Sequence, residues 1–343
     1  MSDDAPGVLD GAVPPGAQTR LFGHAAAETF LATSYRSGKG HHAILIEGPE
    51  GIGKATLAFR FANHVLSHPD PLAAPAEMAD PDPASAVSRQ ILSGASHNLL
   101  HLSRPVDEKT GRAKAAITID EVRRAGKFFA QTSGTGNWRI VIVDPADDLN
   151  RNAANAILKM LEEPPRRSLF LVLTHAPGKL LPTIRSRCMP LSLSPLSPDD
   201  LSAVLGSLGV ALPEASRQAV LAAAGGSASE ALKLVNYGGF DILEVFGAAV
   251  GGKGVARKEV HRLADALSAK DSDTVFDFFC SQAGGYVMAR AREAAKAGDI
   301  VAAERMARLS SDIGETIATA RAYNLDRKQT VLSLIDGIAA GCR

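Results

Sequence analysis

The stretch "EGPEGIGKAT", residues 47 to 56, leaves few folds open. It holds Gly48, four intervening residues, Gly53 and Lys54, directly after the apolar run Ala43-Ile44-Leu45-Ile46 and directly before an apolar-rich helical stretch. In a glycine-rich turn between a buried strand and a helix, backbone N–H groups turn inward around phosphate oxygens and the lysine reaches the outer phosphates. The pattern predicts a P-loop α/β domain with Gly48, Gly51, Gly53 and Lys54 as candidate nucleotide-binding residues. One position departs: where a Ser or Thr hydroxyl would hold Mg²⁺ stands Ala55, and Thr56 follows one place late, about 100° further around the helix. The loop therefore reads either as a cradle with weakened metal binding or as a strand-to-helix turn without a ligand.

Three further apolar runs, "AITI" (116–119), "RIVIV" (139–143) and "LFLVLT" (169–174), alternate with helical stretches. Continuous hydrophobicity indicates strands buried on both faces, so residues 20–195 are expected to form a doubly wound α/β domain with a parallel sheet. Residues 1–19 read as a loose leader, and the proline-crowded 67–86 as an irregular surface connection. After "SLSPLSPDDL" no strand-like run follows; Ser197, Pro198, Asp199 and Asp200 offer an N-cap, a proline at the first helical position and acids in the first turn. The expectation is a small helical lid over 196–237, with helices near 198–206, 213–224 and 228–236. An all-α domain follows over 238–343, where apolar residues recur at three- and four-residue spacing. At 343 residues such a division is required by size alone.

An active P-loop ATPase of the ring-forming kind needs an Asp for the metal shell and an acid that orients water, after the strand "RIVIV". Asp144 sits where the metal-shell acid belongs, but the next residue is Pro145, which cannot orient water. Asp147 and Asp148 lie further on, in a turn where they are expected to cap backbone groups. Lys and Arg balance Asp and Glu, 37 to 37, so the chain lacks the basic excess of a protein that lives on phosphate backbones. Three widely spaced cysteines, without an export signal or a membrane-length apolar window, point to a cytoplasmic location and no membrane contact. His41-His42 reads as a solvated loop, Trp138 as packing, and Lys253, Arg257, Lys258 and Arg262 as a solvated helix face.

"NAILKMLEEPP" (155–165), "THAPGKLLPTIRSRC" (174–188) and "NLDRKQTVLSLI" (324–335) resemble bacterial clamp-loader subunits of the AAA type. The resemblance runs from Leu21 onward. It implies an AAA-type nucleotide-binding fold, a helical lid and a collar that joins a five-membered ring with motor ATPase subunits and a delta subunit. That assembly loads a sliding clamp onto primed DNA. In the family pattern the catalytic Glu of active subunits falls on Pro145 and the lid arginine on Ser229. With Ala55, three separate parts of the phosphoryl-transfer machinery are missing, which implies a non-hydrolysing subunit that needs no cofactor. ATP binding without hydrolysis stays open through Gly48, Gly51, Gly53, Lys54, Thr56 and Asp144. Retained is Ser186-Arg187-Cys188, in which the resemblance makes Arg187 an arginine finger acting in trans, with Ser186 and Cys188 as structural members of the motif. The alternative is a motor ATPase that uses Asp147 or Asp148. The family often carries a four-cysteine zinc pattern between P-loop and second strand; no cysteine precedes Cys188, and His64, His68, His97 and His101 make no substitute, so no zinc is expected. Nothing resembles a polymerase or exonuclease site, so DNA-directed DNA polymerase activity would belong to the assembly.

Overall fold

The computed structural model describes residues 9–107, 113–130, 136–212, 214–251, 257–269 and 272–342, with the backbone alone at 215 and 216. The chain divides after Ala231 into two compact units.

In the first unit β1 (Ala43–Glu47), β2 (Leu99–Leu102), β3 (Arg139–Val143), β4 (Ser168–Thr174) and β5 (Met189–Ser192) form one sheet, ordered β2-β3-β4-β1-β5, with every neighbouring pair parallel. Helices α1 (Ala25–Arg36), α2 (Lys54–Ser67), α3 (Ala86–Leu92), α4 (Ile119–Ala130), α5 (Arg151–Glu162) and α6 (Pro182–Arg185) belong to the same unit. Successive strand residues point to opposite faces. Ile44, Ile46, Leu169 and Leu171 pack with Leu31 of α1 and with Leu57 and Phe61 of α2. Their neighbours Leu45, Phe170 and Val172 pack with Val122 of α4, Ile157 and Leu161 of α5 and Ile184 of α6. Both faces are thus covered, which is why "RIVIV" and "LFLVLT" are apolar without a break.

The second strand departs from expectation. "AITI" makes only an isolated parallel bridge, Ile117 to Leu149, and runs into α4, where Glu121 Oε2 accepts from the Thr118 N–H at 3.0 Å. Strand β2 is instead Leu99–Leu102, a four-residue edge strand with His101 exposed. An edge strand is covered on fewer sides and needs fewer apolar residues, so its pattern is faint. The leader departs too, because Pro15–Ala17 form a 3₁₀ turn, Gly16 lies against the Phe59 ring, and Thr19 O accepts from Arg60 Nη1. Arg60 is 4% exposed, and its guanidinium also meets Glu28 Oε1 at 2.7 Å and Asp80 Oδ1 at 2.8 Å. The 67–86 connection is irregular apart from a turn at Pro71–Ala73 and the start of α3. It is held in place by that arginine.

Three helices follow the sheet: α7 (Pro198–Ser207), α8 (Glu214–Ala223) and α9 (Ala228–Asn236). Ser197 Oγ caps α7 by accepting from Asp200 N at 3.1 Å. The second unit contains α10 (Gly239–Val250), α11 (Arg257–Leu267), α12 (Asp273–Lys296), α13 (Ile300–Ala322) and α14 (Arg327–Gly341), with no strand among its described residues. The tight turn Ala297–Asp299, with Gly298 at φ +79°, folds α13 back along α12. Phe246 of α10 meets Phe279 of α12 edge-to-face at 5.6 Å, and Leu334 and Ile338 of α14 are buried. The basic stretch opens α11 at Arg257; Lys253 lies outside the described residues. No helix among the described residues is long and apolar enough to cross a membrane.

Trp138 serves packing: its ring meets Tyr35 edge-on at 5.6 Å, and Nε1 donates to Pro69 O at 3.2 Å. The His41 and His42 rings stack at 4.5 Å, and His42 Nε2 donates to Leu161 O at 3.0 Å, so His42 is tied down rather than simply solvated. His64, also against Tyr35, is 5% exposed, and its Nε2 has no partner among the described residues. Burial, and secondarily His68, pushes its pKa from 6.5 down to about 4. The folded protein keeps His64 neutral, whereas the unfolded chain takes up a proton below about pH 6.5. The contribution is complete above that pH and is lost as the pH falls toward 4. Denaturant melts are expected to show unfolding about 2 kcal/mol easier at pH 5 than at pH 7 from this group. His64→Phe, which keeps a ring without a titrating nitrogen, should flatten that dependence.

Candidate functional site

The loop after β1 is closed by its own chain. Gly53 caps α2 with φ +104°, as a strand-to-helix turn of this kind requires. Lys54, 4% exposed, donates from Nζ to Gly48 O at 2.7 Å and to Pro49 O. His24 Nε2 donates to Ile52 O at 2.7 Å, and Ala228 N, at the start of α9, donates to Gly51 O at 2.9 Å. Carbonyl after carbonyl of the loop is therefore engaged by protein donors. Gly51 has φ +74°, and a Cβ there would collide with the hydroxyls of Ser227 and Ser229, which stand 3.1 Å from each other. Ser227 Oγ also accepts from Glu230 N at 3.2 Å, capping α9. Burial brings the Lys54 pKa from 10.5 down to about 8, against the opposing pull of Asp144, Glu50 and Asp147. Ala55 is partly buried against the core beneath the loop, and Thr56 lies in the first turn of α2.

The acids after β3 hold structure. Asp144 Oδ2 accepts from His101 Nε2 at 3.3 Å and stands close enough to Lys54 to favour its charge. Asp147 accepts from Thr174 Oγ1 at 2.9 Å, His175 N at 2.7 Å and Ala176 N at 3.2 Å, which fixes the end of β4. Asp148 pairs with Arg104 Nε at 3.1 Å; burial raises its pKa and Arg104 opposes the rise. Burial, and then the Lys54 charge, lowers the pKa of His175, whose Nδ1 is buried without a partner among the described residues. Among the described residues no group of three or more His, Cys, Asp or Glu is arranged to hold a metal ion.

Ser186-Arg187-Cys188 lies elsewhere. In the parallel pairing of β1 with β5, Ile44 stands opposite Met189 and Glu47 opposite Ser192. Arg187 precedes the first residue of β5, whereas the loop follows the last residue of β1, so the two are at opposite ends of the strands. They are separated by at least about 10 Å, the rise from Ile44 to Glu47. Cys188 is buried in the core on the α5 side of the sheet, and burial pushes its thiol up to about 11, so it anchors the motif and is inert. Ser186 Oγ donates to Thr183 O at 3.2 Å. Arg187 points outward, one-third exposed, with Nη2 2.6 Å from Glu162 Oε1 and Nη1 donating to Thr183 O at 2.9 Å. The structure thus gathers Gly48, Gly51, Gly53, Lys54, Thr56 and Asp144 at one end of the sheet and leaves Arg187 at the other. Sequence reasoning missed His24, Ser227 and His175, which touch the loop or its surroundings only through folding.

A family model described as DNA polymerase III, delta subunit, matches residues 23–197. DNA polymerase III subunit delta' of Pseudomonas aeruginosa is 34% identical over 245 residues, 70% of this chain and 69% of that one. Its namesake from Escherichia coli K12 is 29% identical over 204 residues, 60% of this chain and 57% of that one. DNA polymerase III subunit tau of the same organism is 28% identical over 275 residues, 79% of this chain and 39% of that one. The similarity therefore spans about two-thirds of the first relative, just over half of the second and about two-fifths of the third.

Gly51→Ala is expected to destabilise the protein by about 1–3 kcal/mol, because it combines an unfavourable φ with a collision. Adding Ser229→Gly should recover part of that loss. Denaturant melts of the single and double variants check both expectations, and a Gly51→Ala protein as stable as the parent would contradict the packing described.

Proposed function

The chain belongs to the DNA polymerase III delta-subunit family, and from that membership we propose that it serves DNA replication as a clamp-loader subunit. In this reading it organises the ring without hydrolysing ATP and supplies Arg187 to a neighbouring subunit's ATP site. The observation that carries the reading is the position of Arg187 at the end of the sheet away from the chain's own P-loop. A guanidinium exposed there has no route to its own loop and is free to meet a phosphate held by another chain. Its planar fork matches the charge that develops on a transferred phosphoryl group.

The loop supports the same division of labour. Lys54 spends its donors on Gly48 and Pro49 carbonyls, Ser227 and Ser229 stand over Gly51, and Asp147 has both carboxylate oxygens committed to β4 and the residues after it. Nucleotide entry would require Lys54 and the start of α9 to give up these contacts, so the reading calls for no cofactor of the chain's own. The partners are the motor ATPase subunits and the delta subunit of a five-membered ring, with residues 196–237 as lid and the helices after residue 238 as the collar that joins it. The sliding clamp and primed DNA are met through the assembly, and DNA-directed DNA polymerase activity belongs to the holoenzyme.

The test is steady-state ATP hydrolysis by the reconstituted assembly with clamp and primed DNA, beside the isolated chain. The isolated chain is expected to be silent. Arg187→Ala should lower turnover at the site it faces by about 10³-fold or more while the ring still forms. Hydrolysis by the isolated chain would instead favour a motor ATPase that uses Asp147 or Asp148.

A further inference from the structure

Arg187 is held at two points by its own chain. Glu162 Oε1 lies 2.6 Å from Nη2, and the Thr183 carbonyl accepts from Nη1 at 2.9 Å. Both partners stand on fixed elements. Glu162 is the last residue of α5, beside Leu161, which is 1% exposed and whose carbonyl accepts from His42 Nε2 at 3.0 Å. Thr183 precedes Ile184, also 1% exposed, and the Arg187 N–H closes the same turn by donating to Ile184 O at 3.1 Å. Arg185, two positions earlier, is exposed and has no ion-pair partner among the described residues, and neither does Glu163, beside Glu162.

The Arg187–Glu162 side chains are 33% and 47% exposed, so their ion pair adds little to stability. What it does is order a long side chain. A free arginine samples many rotamers and must surrender them on meeting a ligand. A guanidinium carries five N–H donors, and two contacts leave three for a phosphate.

Resting on the reading of Arg187 as a finger that acts in trans, we propose that Glu162 is its positioning residue. With the Thr183 carbonyl it holds the guanidinium in one orientation at the surface, ready for a phosphate on the neighbouring subunit. Ordering is then completed before the two subunits meet.

The test compares Glu162→Gln, Glu163→Gln, Arg187→Ala and Glu162→Gln/Arg187→Ala in the reconstituted assembly with clamp and primed DNA, after thermal melts and size-exclusion chromatography have shown that each variant folds and joins the ring. Glu162→Gln keeps the shape and removes the charge; it is expected to lower kcat about two- to tenfold, the span set by ordering one long side chain, with KM for ATP unchanged. Glu163→Gln, the same charge change next door, should match the parent. The double variant should be no slower than Arg187→Ala. Parent-like turnover in Glu162→Gln, an equal drop in Glu163→Gln, a change confined to KM, or a double variant slower than Arg187→Ala would each overturn the proposal. If Arg187→Ala itself leaves turnover unchanged, the finger reading fails and the positioning role falls with it. If Arg187→Ala is slow and Glu162→Gln is not, the positioning role alone is lost.

Discussion

A sheet whose strands all run one way has two unlike ends, and the rest of the first unit depends on that polarity. Every neighbouring pair in the order β2-β3-β4-β1-β5 is parallel, so the loops after the strands gather at one end and the entries to the strands at the other. Parallel strands need crossovers, the crossovers place helices on both faces, and the burial of both faces fixes the register. Asp144, Asp147 and the glycine-rich loop share the first end. Glu162, Arg187 and the start of β5 share the other. A one-residue slip of β5 would carry every side chain of that strand to the opposite face.

The glycine-rich loop acts as a structural joint between β1, α1's entry and α9. Backbone geometry that suits phosphate oxygens also leaves carbonyls and an ammonium in need of partners. Lys54 meets that need within the loop, and His24 and Ala228 meet it from α1's entry and α9's start. Ser229 carries a small side chain, and α9 approaches until its N-terminus touches Gly51, with Ala228 N donating to Gly51 O at 2.9 Å.

Much of this was legible in the sequence, for reasons that differ by element. Runs buried on both faces, such as "RIVIV", declare themselves, and Ser197-Pro198-Asp199-Asp200 marks a helix start by local chemistry alone. "AITI" misled because Ile117 is buried by a loop and a helix entry rather than by a sheet, and apolar periodicity cannot separate these cases over four residues. Leu99–Leu102 was hidden because an edge strand tolerates His101. Gly48, Gly53 and Lys54 were found from spacing, whereas His24 and Ser227, distant in sequence, reach the loop only after folding. The motif at Arg187 was visible, but the carboxylate beside it depends on where α5 ends.

Arg60 has a consequence that reaches beyond its own helix. A buried guanidinium left unpaired is costly, so the residue holds to Thr19 and Glu28 on one side of it in the sequence and to Asp80 on the other. In polymer terms it is a cross-link at a four-way junction, closing one loop between residues 19 and 60 and another between 60 and 80. A secreted domain would close such loops with disulfides. Here a single cation does so reversibly, with no need of an oxidising compartment.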